Sequence, residues 1–270
     1  MTTTEIALDG PISLHARAAH GTLTVLAEEG ISRAVVSIES HQKDSDIAER
    51  TVVVLRGSTL VVATPRRGGV FDFAVFGGPS RDRDAVDIRI TVPAGTEMKL
   101  SSYTAPITVV GRSGSTDVTT GAADIDLDSV DGHLRLRFGS GAAHVARVTG
   151  SVEARSGKGR AHFEDIGGDL SAATGSGSLE VGTISGAVRT RTGAGSATLS
   201  AVFGDVDLAS GSGGVEIGLP AGRDARLDVT TGSGRVRSEL PVDDAPSGSG
   251  RTVSIRARTG SGDIRLFRAS

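Results

Sequence analysis

Asp126, His144, His162 and Glu180 stand eighteen residues apart in the chain. A fold that stacks eighteen-residue units in register sets these side chains one above another on one face, at steps of about 4.8 Å. Imidazole and carboxylate together are a donor set for a divalent transition metal, so the row could hold such an ion. The alternative is a solvated ladder whose mixed charges favour one register. The ladder is the preferred reading, because side chains on a flat sheet point parallel whereas a tetrahedral site needs them to converge.

Paired carboxylates are a second candidate. Asp124, Asp126 and Asp128 alternate along one segment, and Asp205 and Asp207 along another. Same-face carboxylates two residues apart lie about 7 Å from each other, near the range that inverting glycosidases use. Sugar cleavage also needs an aromatic platform and burial that raises the pKa of one acid. The chain has no Trp and a single Tyr, so a solvated strand face is again the better reading. The Gly-x-Gly triplets do not make a nucleotide loop: they lead into strand patterns and lack a Gly-Lys-Ser/Thr ending. Their serines have no His or acidic partner at fixed spacing, which argues against a nucleophile. Calcium β-rolls place Asp two residues after a glycine triplet, but here Ile125, Leu134, Leu170, Leu179, Val206 and Val215 fill that slot. Aliphatic carbon cannot ligate calcium, so no calcium is expected. No cofactor or catalytic residue is assigned.

The elements that must carry these residues follow from a repeat. Gly121, Gly139, Gly157, Gly175, Gly193 and Gly211 recur every eighteen residues, and Gly132, Gly150, Gly168, Gly186 and Gly204 keep the same period. Positive φ, or close approach of stacked backbones, would each require glycine there. Within each window apolar pairs such as Ile125/Leu127, Ala143/Val145, Ala161/Phe163 and Leu179/Val181 sit two apart. A second set follows nine residues later, Leu134/Leu136, Val152/Ala154, Leu170/Ala172 and Val188/Thr190, and recurs at Val206/Leu208. Residues two apart share one face of a strand, so each window is two short strands with apolar pairs turned inward. Val130, Val148, Ile166, Ile184 and Val202 add an apolar residue at the turn between them. Self-similarity at so short a period marks a solenoid, whose units bury their apolar faces only against neighbours. The expected fold is all-β: a parallel β-solenoid with about eighteen residues per coil and irregular N-terminal coils.

One solenoid domain is expected over residues 1–270, with irregular strands and a cap over 1–102, regular coils over 103–240, and a loop and terminal coil over 241–270. In the first part Leu23/Val25, Val35/Val36/Ile38, Val52/Val54, Leu60/Val62 and Ile88/Ile90 are the expected inward sets, with a helical turn over Ser45 to Arg50. The terminal coil, Gly260 to Arg268, is followed by little sequence that could cover its edge.

Composition narrows the function classes. There is no Cys, hence no disulfide framework or thiolate metal site. Basic and acidic residues, 29 against 32, nearly balance, and aromatic residues are scarce; neither nucleic acid nor an anionic membrane is an expected partner. No apolar run is long enough to insert in a membrane. The N-terminus lacks the basic and apolar regions of a secretory signal, so the expected location is cytoplasmic. One segment stands out: Phe71, Phe73 and Phe76, preceded by Arg66 and Arg67, gather three of the seven Phe within six residues. That segment either docks on a partner or a second copy, or folds back to seal the N-terminal side.

Three segments share a pattern: Thr174-Gly175-Ser176-Gly177-Ser178-Leu179-Glu180-Val181, Thr231-Gly232-Ser233-Gly234-Arg235-Val236 and Thr259-Gly260-Ser261-Gly262-Asp263-Ile264-Arg265-Leu266. With the Val92-Pro93-Ala94-Gly95 and Leu219-Pro220-Ala221-Gly222 turns, the chain from roughly Leu23 to Arg268 resembles the toastrack (“putative adhesin”) family of bacterial β-strand-repeat proteins. The resemblance implies a single-stranded, right-handed β-solenoid and supplies no catalytic residues. Taken together, the expectation is a non-enzymatic scaffold or adhesin-like interaction protein, self-associating through coil ends or the Phe71–Phe76 loop. A monomeric adaptor for a regulatory or envelope protein is the alternative, and a polysaccharide-active enzyme a remote one.

Overall fold

Val152 lies beside Leu170, Leu170 beside Val188, and Val188 beside Val206, each pair in parallel strands and eighteen residues apart. The same step separates Ala161, Leu179, Ala197 and Val215 in a second sheet. Thus the period of the sequence is the hydrogen-bond register. The computed structural model describes residues 2–42, 45–65, 85–240 and 252–269. These form an all-β fold with parallel strand stacking, divided into two compact units, Met1–Ser129 and Val130–Ser270. No helix among the described residues is long and apolar enough to cross a membrane.

The first unit contains β1 (Thr2–Ala7), β2 (Ser13–Ala18), β3 (His20–Glu28), β4 (Arg33–Ser40), α1 (Ile47–Arg50), β5 (Val52–Arg56) and β6 (Thr59–Ala63). It continues through β7 (Ala85–Pro93), β8 (Glu97–Ser102), β9 (Ile107–Ser113), β10 (Thr116–Ala122) and β11 (Ile125–Val130), inside which the division falls. The helical turn falls where the sequence places one. β2 and β3 are flanked by parallel partners on both sides: β6 and β8 on β2, β7 and β9 on β3. Outside them, however, β1, β4 and β7 pair antiparallel, as do β5 and β6. Within the irregular part expected over residues 1–102, these antiparallel pairs depart from the expected parallel coils. Parallel neighbours need a long crossover, whereas Arg56 and Thr59 are joined by two residues, and such a short turn can only make a hairpin. Gly57, with φ +58°, stands first in that turn, where a two-residue hairpin requires positive φ. Two of the expected inward residues pay for the change in pairing: Val52 is 48% exposed, and Val54 is half-buried. Val35 is also half-buried, while Val36 and Ile38 are buried as expected.

The second unit contains β12 (Leu134–Ser140), β13 (Ala142–Val148), β14 (Val152–Ser156), β15 (Arg160–Ile166), β16 (Leu170–Thr174), β17 (Leu179–Ile184) and β18 (Val188–Thr192). Then come β19 (Ala197–Val202), β20 (Val206–Ser210), β21 (Val215–Leu219), β22 (Ala225–Thr231), β23 (Val236–Ser238), β24 (Val253–Thr259) and β25 (Ile264–Arg268). One sheet runs β13-β15-β17-β19-β21-β25-β23 and the other β12-β14-β16-β18-β20-β24-β22. The inward pairs of both strand sets are buried, with Val145, Phe163 and Leu199 fully enclosed, and so are the turn residues Val148, Ile166, Ile184 and Val202. Ile125 and Leu127 of the first unit are buried likewise.

Close approach, rather than positive φ, explains most of the glycine rows. Gly132 is the member with positive φ, whereas a Cβ on Gly175 would stand 2.6 Å from the Gly157 carbonyl oxygen. Spatial order also departs from chain order at the end. β24 lies between β20 and β22, and β25 between β21 and β23. The expected bare edge at Gly260 to Arg268 is therefore corrected: β25 is paired on both sides, and among the described residues β22 and β23 end the two sheets. Packing gives the reason. Ile264 and Leu266 sit opposite Val236 and Ser238, so the coil with the apolar pair takes the enclosed place.

Candidate functional site

Because successive residues of a strand alternate faces, the residues between the buried pairs of β13, β15 and β17 all project outward. Register then sets His144 beside His162 and His162 beside Glu180. The two imidazoles stack with ring centroids 5.4 Å apart and planes 10° from parallel. Glu164, two residues beyond His162 on the same face, reaches diagonally back to His144: its Oε1 lies 3.0 Å from Nε2. Glu180 Oε2 lies 3.4 Å from His162 Nδ1. One ligand atom each from His144, His162 and Glu164 can be chosen so that all lie within 4.8 Å of one another.

Within the second unit the structure thus sets His144, His162 and Glu180 of the expected row side by side and adds Glu164, which the row does not contain. Asp126 lies exposed on β11 in the first unit. Glu164 escapes a reading based on eighteen-residue steps because it belongs to a different row; its signal is position, two residues from His162 and so on the same face. Phe71, Phe73, Phe76, Arg66 and Arg67 lie outside the described residues.

Several carboxylates elsewhere accept hydrogen bonds from backbone amides or guanidinium groups. Asp128 accepts the Gly111 amide at 2.9 Å, and Asp205 accepts that of Ser254 at 2.8 Å. On the outer face of the β12–β24 sheet, Asp207 accepts Arg191 at 2.8 Å, Glu153 accepts Arg135 at 3.0 Å, and Asp228 accepts Arg256 at 3.0 Å. Those guanidinium hydrogen bonds hold all three carboxyls below their usual range, against the opposing effect of desolvation. In the first unit, burial raises the Asp87 carboxyl, but hydrogen bonds from His41 and Thr22 outweigh it and leave the group lowered. A shallow groove of about 650 Å³ crosses the same outer face, with Arg155 and Arg191 flanking Ala173.

The hydroxyls that precede the glycine triplets have a structural task. Thr192 Oγ1 donates to the Gly195 carbonyl at 2.7 Å and accepts the Gly195 amide at 3.0 Å. Ser210 with Gly213 and Thr259 with Gly262 repeat the arrangement. Such a clamp closes the turn on itself and presents no free nucleophile.

Residues 21–269 match the family model described as Toastrack DUF4097. No curated protein matches the chain. Among solved structures it is similar to a “putative adhesin” of Parabacteroides merdae, at 10% identity and TM-score 0.49, covering 98% of this chain and 95% of that one. A like-named protein of Parabacteroides distasonis gives 13% identity and TM-score 0.44, covering 98% and 96% of the two chains. One of Bacteroides fragilis gives 13% identity and TM-score 0.40, with coverage of 98% and 96%.

Proposed function

The chain belongs to the toastrack family, and from that premise we propose a non-enzymatic, adhesin-like interaction protein that self-associates at its coil ends. In this reading the second unit winds as a single-stranded, right-handed β-solenoid of about eighteen residues per coil, and its function lies in surfaces rather than in a cleft. The observation that carries it is the state of β22 and β23. Leu227 and Val229 of β22 are half-buried and Val236 of β23 is 46% exposed, whereas Ile255, Ala257 and Ile264 on the adjoining strands are enclosed. Among the described residues neither β22 nor β23 has a strand partner on its outer side. A second copy offering the same edge would pair those backbone groups and cover the apolar residues, since an exposed strand edge is a template for adding another strand.

Sedimentation velocity tests the proposal. The wild-type chain is expected to gain a dimer fraction as concentration rises, and the Val229→Lys/Val236→Lys variant to remain monomeric with an unchanged circular dichroism spectrum. A wild-type protein that stays monomeric at every concentration would overturn it.

A further inference from the structure

We propose that His144, His162 and Glu164 form a binding site for a divalent transition-metal ion of the zinc, nickel or copper group, with Glu180 orienting His162. The backbone supplies the first part of the argument. Two adjacent parallel strands in fixed register present two imidazoles on one face, already stacked at 5.4 Å. Glu164 supplies the convergence that a flat row lacks. Its carboxylate sits 3.0 Å from His144 Nε2, close to the roughly 3.4 Å that separates two ligands of one tetrahedral zinc with bonds of about 2.0–2.1 Å. The widest separation in the group, within 4.8 Å, exceeds that ligand–ligand distance by at most about 1.4 Å, a gap that χ rotation would have to close on binding. The side chains have room for it, since His144, His162 and Glu164 are 46%, 41% and 55% exposed.

Two nitrogens and a carboxylate suit zinc, nickel and copper better than calcium or magnesium, which take oxygen ligands. Three protein ligands leave a fourth position for water or for a group from a partner. Glu180, beside Nδ1 of His162, stands where a carboxylate behind a metal-bound imidazole fixes the ring and directs Nε2 outward.

Isothermal titration of the full chain with zinc chloride at neutral pH tests the proposal, with circular dichroism confirming that each variant is folded. The expected result is one ion per chain. His144→Ala, His162→Ala and Glu164→Gln should each weaken binding by at least tenfold, and Glu180→Gln by about tenfold, while His41→Ala leaves it unchanged. Zinc should also raise the melting temperature of the wild type and not that of the His144→Ala/His162→Ala variant. A purely structural ladder would instead let those substitutions lower the melting temperature without zinc and give no zinc-dependent rise. Absence of binding heat in the wild type, or affinity retained in both histidine variants, would overturn the site.

Discussion

Thr190 and Thr192 lie two residues apart on β18, both buried, with opposite consequences for stability. The Thr192 hydroxyl closes its turn through two hydrogen bonds to Gly195. That of Thr190 is fully buried at an inward position and has no hydrogen-bond partner among the described residues. Removing a hydroxyl that satisfies buried backbone groups leaves them unpaired, whereas removing an unsatisfied one relieves a desolvation cost. Thr192→Val should therefore destabilise the protein by about 1–3 kcal/mol, and Thr190→Val should stabilise it by about 1 kcal/mol. Urea denaturation midpoints check both; a shift in the same direction for the two variants would refute the assignment. The alternation of the sequence marks Thr190 as inward. It does not distinguish Thr192, because a clamp within a turn depends on the backbone path after the strand rather than on any period.

At the scale of elements, the parallel strands of the second unit carry their ion pairs on the outer face, and the sign of their pH dependence follows. Arg191, by hydrogen bond first and charge second, holds the folded-state pKa of Asp207 below its ordinary value, with Arg189 and Arg256 adding charge. A group whose pKa is depressed on folding contributes stability above its unfolded pKa and loses that contribution as pH falls through the folded value. Wild-type melting temperature should thus fall on acidification below about pH 4, and Asp207→Asn should show a shallower fall. Equal slopes for the two proteins would contradict the linkage. The strands themselves were legible because apolar pairs such as Ile125/Leu127 and Val206/Leu208 fix which face is buried. Their neighbours at the two ends were not. Every coil carries the same pattern, so periodicity cannot say that β24 slots between β20 and β22; only Ser238, polar at the place corresponding to Leu266, hints that β23 belongs outside. The antiparallel strands of the first unit were hidden for a related reason. Alternation assigns faces, whereas strand direction is set by connections such as the Gly57 turn. In the candidate site the eighteen-residue spacing revealed His144 and His162, but the diagonal approach of Glu164 is a property of the sheet surface.

For the molecule as a whole, function in this account rests on an edge that the repeat leaves open. Enclosed strands satisfy their backbone groups on both sides, and β22 and β23 do so on one side only among the described residues. Association through that edge would convert exchanging amides into hydrogen-bonded ones. Hydrogen exchange of the β22 amides, followed from dilute to concentrated protein, is the most direct test. Self-association through the edge predicts that protection within Ala225–Thr231 rises with concentration while enclosed β18 stays constant. Amides of β22 that exchange at one rate across the whole range, in a protein that nevertheless dimerises, would contradict it.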